Sequence, residues 1–269
     1  MNHETQQLAP PTVSPEVYDA EYYLRSCAGS EDWVASGGKA ADARYAGSLA
    51  RAGLRPGDVL LDIGTGRGEL LAAAIEAGAA RAIGVEYSAA AVALARTTLD
   101  EHGVRDRATV IAADARRLPL PSGSVDLVTL LDVVEHLTPD ELQGTLVEAH
   151  RVLRGGGRVF AHTLPTRTIY DVTYRLQRLS RPSRWKRWPA DPRNDFERAM
   201  HVNEQTLGSL RRALFQAGFR RARVTRGEWI HDEFVPDEGP RRLYGRLAAH
   251  RLTRGLGAAD LWAEGVKEG

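Results

Sequence analysis

The chain has little of several things, and each shortage excludes a class of protein. Its 269 residues include one cysteine, Cys27, which can form no internal disulfide and rules out a cysteine-rich metal site. That usage fits a reducing cytoplasm. No apolar run reaches the roughly 18 residues that a membrane-spanning helix needs, and the mean hydropathy is −0.34. Residues 1–15 are polar and proline-bearing with no apolar signal-peptide core, and read as a flexible tail. Excess charge is also missing: 36 Lys/Arg face 35 Asp/Glu, a net +1. No internal repeat is present. What remains is an ordinary 43% hydrophobic content, ample for one large domain with a core, or a domain with a small lid.

The most informative stretch is Val59-Leu60-Leu61-Asp62-Ile63-Gly64-Thr65-Gly66-Arg67-Gly68-Glu69-Leu70. An apolar run, three glycines at alternate positions and an alanine-rich helical pattern predict a buried parallel strand, a tight turn and a helix N-terminus. Glycine suits positive φ or close approach of a ligand to the backbone, and a helix start offers free N–H groups. Together they predict a nucleotide-type ligand at the carboxyl end of the first strand of a doubly wound sheet. A dinucleotide fingerprint reads Gly-x-Gly-x-x-Gly, whereas the spacing here is Gly-x-Gly-x-Gly with an acid two residues ahead. A carboxylate would repel a pyrophosphate but suit an ammonium group.

Strands are expected at Val59–Ile63, Ala82–Tyr87, Ala108–Ala112, Val125–Leu131, Arg158–Thr163, Arg223–Thr225 and Asp260–Val266. Between them run helices from about 67 to 77 with Gly78 as C-cap, from Ser88 through Leu99, and from Pro139 to Leu153 with Gly155-Gly156-Gly157 as its stop. Another is expected from His201 through Leu214. Residues 16–56, with Tyr18, Tyr22, Tyr23 and Trp33 and a helix from about 39 to 52, precede the sheet as a lid segment. Residues 57–269 form the main domain, with a basic aromatic insertion at about 166–200 and a helical one at about 240–252. From Arg167 to Arg226 there are 15 Lys/Arg against 5 Asp/Glu, which reads as an arginine-rich solvated surface or as a face for an anionic partner.

Asp62 with its glycine loop, Glu86-Tyr87, Asp114 and the segment Asp132 to His136 together resemble class I S-adenosylmethionine (SAM)-dependent methyltransferases, specifically over 59–163 and loosely to the C-terminus. The resemblance implies an α/β Rossmann-like doubly wound fold with a seven-stranded, mostly parallel sheet. It implies that Asp62, Gly64, Thr65 and Gly66 hold the methionine end of SAM. Glu86, about 18 residues past the glycine loop, would bind the ribose hydroxyls, Tyr87 would pack on adenine, and Asp114-Ala115 would meet the adenine amino group. Asp132 would border the sulfonium. An NAD-dependent enzyme explains the glycines and Glu86 but leaves Asp62, Asp114 and Asp132–His136 without a role. His136 is the candidate for acceptor deprotonation or orientation.

The expected acceptor is a small molecule methylated on O, N or C, from a secondary-metabolite or glycan pathway. An RNA methyltransferase, drawing on the basic aromatic insertion with Tyr170, Tyr174, Trp185 and Trp188, and a non-catalytic SAM-binding protein are the alternatives. Asp132-x-x-Glu135-His136 also resembles the Glu-x-x-Glu-His metal motif of ubiquinone-pathway O-methyltransferases and small-RNA 2′-O-methyltransferases. That likeness implies a divalent ion on Asp132, Glu135 and His136, with His201 as a further ligand; lining of the cofactor site is the alternative.

Overall fold

The apolar runs lie side by side as β1 (Val59–Ile63), β2 (Arg81–Glu86), β3 (Ala108–Ala112), β4 (Val125–Leu131), β5 (Leu153–Thr163), β6 (Arg223–Arg226) and β7 (Leu261–Val266). They come from a computed structural model that describes residues 8–40, 43–175, 190–191, 193, 195–227, 246, 249–250, 253 and 258–269. The sheet order is β3-β2-β1-β4-β5-β7-β6. β1 to β5 pair in parallel, and β7 runs antiparallel to both of its neighbours. The order turns back between β1 and β4, so a crevice opens where their carboxyl ends diverge.

Helices cover both faces: α1 (Ser30–Ser36), α2 (Ala43–Arg51), α3 (Glu69–Glu76), α4 (Ala89–Glu101), α5 (Pro139–Val152), α6 (Asp195–Met200) and α7 (Leu207–Gln216). Successive strand residues point to opposite faces, so neighbours in sequence feed different cores. Leu61 and Val128 pack with Leu142, Leu146 and Leu210 from α5 and α7. Leu60 and Leu127 pack with Leu49, Leu70 and Leu71 from α2 and α3. Each such leucine, fully buried, contributes about 1.5–3 kcal/mol. Helix starts follow local chemistry. Ser88 accepts from Ala91 N ahead of α4, and Thr138 with Glu141 forms a capping box around Pro139 at the start of α5, as such residues do at N-termini.

Three expectations change. The glycine run 155–157 does not stop a helix; it lies inside β5, which begins at Leu153. α5 ends at Val152, where Lys267 Nζ donates to the carbonyls of His150 and Leu153 at 2.8 and 2.7 Å. The glycines bulge the strand, since the register slips between Val125↔Leu153 and Leu127↔Arg158 and extra residues on one strand are what a bulge absorbs. His201 does not open a helix either. α6 ends before it, residues 201–206 are not helical, and Thr206 caps α7 through Ser209 N at 3.0 Å. Third, residues 8–15 are held rather than loose. Val13 is buried, Thr12 N donates to Glu141 Oε1 at 2.8 Å, and Arg116 donates to Ala9 O at 2.7 Å.

In the insertion, Tyr170 and Tyr174 are buried while Val172 is 43% exposed, the reverse of what a stacking surface for RNA needs. The local helix there is a π-helix, Ile169–Tyr174, so a 3.6-residue period misplaces its faces. Trp185 and Trp188 lie outside the described residues, as does the expected helix 240–252 apart from 246 and 249–250. Among the described residues no helix is long and apolar enough to cross a membrane.

Candidate active site

The crevice holds a cavity of about 710 Å³ that touches almost every motif singled out in the sequence. Its floor is the turn after β1. Gly64, Gly66 and Gly68 all have positive φ, at 71°, 54° and 78°. At Gly64 the requirement is also steric, because a Cβ would lie 2.5 Å from Val133 Cγ2 in the loop after β4. Thr65 and Gly66 line the cavity, whose wall starts at Ile63. Asp62 sits one residue below. Its side chain is 4% exposed and accepts from Thr129 Oγ1 at 2.7 Å. Burial pushes its carboxyl up to about 7, against the Thr129 hydrogen bond.

The nucleoside end follows β2. Glu86 is buried and lines the cavity. It accepts from Gly66 N at 3.0 Å and from the amides of Tyr87 and Ser88 at 2.8 and 2.9 Å. Burial raises its pKa and these amides oppose the rise. Each carboxylate oxygen has two lone pairs; Oε1 spends both on Tyr87 and Ser88, and Oε2 keeps one for a ribose hydroxyl. The Tyr87 ring lies 5.6 Å from that of Tyr18, and both line the cavity with Asp114 and Ala115. Asp114 opens no helix. Its carboxylate is gripped by Arg116, which donates from its backbone N at 2.8 Å and from its guanidinium at 2.6–3.1 Å. Burial works against ionisation, but Arg116 holds the Asp114 pKa low.

Beyond β4 the chain turns through Asp132, the one non-glycine with positive φ among the described residues, at 58°. That conformation aims the Asp132 carboxylate at His162 Nδ1, 2.5 Å away at the end of β5. Arg44 of α2 reaches its other oxygen at 3.2 Å. Asp132 thus stands apart from Glu135, His136 and His201, whose ligand atoms lie within 4.8 Å of one another. Of the expected metal set, the structure brings three together and gives the fourth a different partner.

Glu135 accepts from Thr163 Oγ1 at 2.7 Å. Burial, and next the Asp132 charge, push its carboxyl up to about 8. His136 places Nδ1 3.2 Å from Met200 O and its ring edge against Tyr18 and His201. Burial lowers its pKa to about 3, reinforced by His201, which makes it a weak base. His201 is lowered too, chiefly by burial, and its buried Nδ1 has no hydrogen-bond partner.

Residues ahead of β1 make the remaining wall, with Tyr18, Tyr22, Tyr23 and Cys27 facing the cavity. Arg67, inside the glycine turn, is 4% exposed. It donates to Tyr23 O at 2.8 Å, Ala28 O at 2.7 Å and Glu69 Oε2 at 2.8 Å. One guanidinium therefore ties the turn to the segment above it. Sequence reasoning passed over Arg67, Arg44 and Arg51, because 36 Lys/Arg spread over the chain give no single arginine a signal. Its place between two of the glycines was the one cue Arg67 offered.

Comparison with known proteins agrees with this geometry. A family model described as a methyltransferase domain matches residues 60–157. The 27-O-demethylrifamycin SV methyltransferase of Amycolatopsis mediterranei is 39% identical over 116 residues, 43% of this chain and 41% of that protein. An uncharacterized methyltransferase of Synechocystis is 31% identical over 172 residues, 62% of this chain and 68% of the relative. The chain thus spans about two fifths of the first relative's length and two thirds of the second's. Among solved structures, the [4+2]-cyclase SpnF superposes with a TM-score of 0.64 at 18% identity, covering 97% of this chain and 98% of that one, a likeness of fold. With the sheet order, the glycine turn and the acids after β2 and β4 in place, the chain belongs to the class I S-adenosylmethionine-dependent methyltransferases.

Proposed function

We propose that the protein transfers the methyl group of SAM to a small-molecule acceptor in a biosynthetic pathway of the cytoplasm. One observation carries the reading: a single cavity runs from Glu86 and Tyr87, past the glycine turn, to His136 and His162. Bound SAM supplies a methyl activated by its sulfonium. Glu86 receives a ribose hydroxyl on Oε2, Tyr87 and Ala115 flank the adenine, and Asp114 faces its amino group. Gly64, Thr65 and Gly66 let the methionine end approach the backbone, and the buried Asp62 carboxylate below gives the turn a negative underside that suits the ammonium group. Tyr18, Tyr22 and Tyr23 keep water from the reacting atoms and act as a lid. His136, a weak base in these surroundings, orients the acceptor through its ring. Holding nucleophile and methyl in line is the larger part of catalysis here.

The small-molecule acceptor draws support from the rifamycin-modifying relative and from the burial of Tyr170 and Tyr174. A tritiated-methyl transfer screen tests it, using extracts of source cells that lack this gene. Label appearing in small organic products is the expected result. Label in RNA, or tight SAM binding with no labelled product, would overturn the reading in favour of an RNA methyltransferase or a non-catalytic SAM-binding protein.

A second reading adds a divalent ion on Glu135, His136 and His201. It is favoured by the orphaned His201 Nδ1 and by two imidazoles whose lowered pKa values leave their lone pairs available. Such an ion would offset the Glu135 charge and polarise an acceptor oxygen as a Lewis acid. Stoichiometric metal in the purified protein, lost together with activity on chelation, is the expected result; full activity after exhaustive chelation would contradict it.

A further inference from the structure

Two buried polar atoms at the acceptor end of the cavity have no partner in the protein. Tyr18 is 5% exposed, and its hydroxyl makes no hydrogen bond; the Tyr87 ring lies 5.6 Å from its own without closing one. The second atom is His201 Nδ1. Both side chains line the cavity, and both set their rings edge-on to His136, at 5.6 and 5.0 Å. A buried polar group without a partner costs stability, so two of them on one cavity point to a ligand that completes both.

Neither side chain is loosely placed. Ser88 Oγ donates to Tyr18 O at 2.6 Å, and the Tyr22 ring packs edge-to-face on Tyr18 at 5.3 Å. His201 N donates to Glu197 O at 2.8 Å, and Asn203 N donates to Glu135 O at 3.1 Å. The two groups are thus held in position before anything binds, which lowers the cost of binding.

The charged groups around them are engaged elsewhere. Asp132 takes Arg44 and His162, and His162 meets Asp260 through its other nitrogen. Arg67 pairs with Glu69 at 2.8 Å, Glu135 accepts from Thr163, and the Arg51 guanidinium lies 4.6 Å over the Trp262 indole. An ionised acceptor would have to break one of these contacts. The atoms left over belong to a phenol and a buried imidazole. A phenol hydroxyl both donates and accepts, and the Nδ1 of a neutral imidazole does one or the other by tautomer. An alcohol hydroxyl satisfies either, since it too does both.

We infer that Tyr18 Oη and His201 Nδ1 bind two hydroxyl groups of the acceptor, and that the acceptor is an uncharged sugar or glycoside. The rings of Tyr18, Tyr22 and Trp262 in the same cavity suit the apolar C–H faces of a pyranose, and the two polar atoms suit its hydroxyl rim; ligand sites join apolar walls to a few placed polar groups in this way. This rests on the methyltransferase reading and names the substrate class of that site.

The probes are 4-nitrophenyl β-D-glucoside and 4-nitrophenyl β-D-glucuronide, in which a hydroxymethyl group of the first is an ionised carboxylate in the second. Each is titrated by calorimetry into the full-length protein saturated with S-adenosylhomocysteine, with chelator present. The glucoside is expected to bind, and the glucuronide to bind at least about tenfold more weakly, since its charge is buried without a partner. Tyr18→Phe and His201→Phe, which keep an aromatic ring, should each weaken the glucoside about fivefold, the loss of one neutral hydrogen bond. Ligand-free Tyr18→Phe should melt no lower than wild type, because the hydroxyl it loses has no partner; a structural hydroxyl would lower the Tm. No binding of the glucoside, equal or tighter binding of the glucuronide, unchanged glucoside affinity in Tyr18→Phe, or a lower Tm for that variant overturns the inference. So does glucoside binding that appears only when magnesium replaces the chelator. Binding of S-adenosylhomocysteine itself, measured first in the same samples, tests the methyltransferase reading separately.

Discussion

Gly64→Ala probes the contact on which the cavity floor depends. Two costs follow from the structure. The position has φ 71°, and an L-residue held there loses roughly 1–2 kcal/mol. The new Cβ would also stand 2.5 Å from Val133 Cγ2, an overlap that forces the loop after β4 to shift, and overpacking of that kind costs about 1–3 kcal/mol. The variant should therefore be about 2–5 kcal/mol less stable in urea unfolding. Val133→Ala in the same chain removes the methyl that is struck, and should return only the overpacking part. A double-mutant cycle therefore shows favourable coupling of about 1–3 kcal/mol, with the strain left over. Equal midpoints for Gly64→Ala and wild type, or strictly additive variants, would refute the packing of this turn beneath Val133.

Other expectations follow from the same structure. Arg67→Met removes the 2.8 Å ion pair to buried Glu69 and the donors to the carbonyls of Tyr23 and Ala28; it should cost about 3–5 kcal/mol and make the segment before β1 easier to cleave by limited proteolysis, with Glu69→Leu in the same chain recovering much of the stability. Trp33→Phe removes the 2.9 Å bond from Nε1 to Thr98 Oγ1 and should cost about 1 kcal/mol, read as a lower Tm. Asp62 has a folded pKa raised from 3.8 to about 7, so its contribution is fully present below the unfolded value and lost as pH rises through 7. Asp62→Asn abolishes that titration. Wild type should therefore lose up to about 4 kcal/mol relative to the variant between roughly pH 4 and pH 8, and parallel urea stability curves for the two would contradict it.

Much of the fold was legible because the core strands are short, apolar and closed by an acid or by glycine. β3 and β4 appear with the bounds their residues suggest, and β1 ends where Asp62-Ile63 gives way to Gly64. The elements that differ are those set by distant partners. Lys267 ends α5 from across 114 residues of chain, and Asn203 N donates to Glu135 O, holding 201–206 out of a helix where local sequence suggested a helix start. The candidate cofactor residues were readable only through the family resemblance that the glycine turn, Glu86-Tyr87, Asp114 and Asp132–His136 carry, and all of them but Asp62 line the cavity. The cluster around His162 was not, because Arg44, Asp132, His162 and Asp260 come from four separate elements and meet only when the sheet is assembled.

The central claim is that this cavity binds SAM through Glu86. Calorimetry with SAM on wild type and on Glu86→Ala tests it most directly, with circular dichroism to confirm that both are folded. The account predicts one site in wild type and an affinity weaker by roughly 10- to 100-fold in the variant, from the 1.5–3 kcal/mol of hydrogen bonds to a charged group. No heat of binding in wild type, or the same dissociation constant for both proteins, would contradict it.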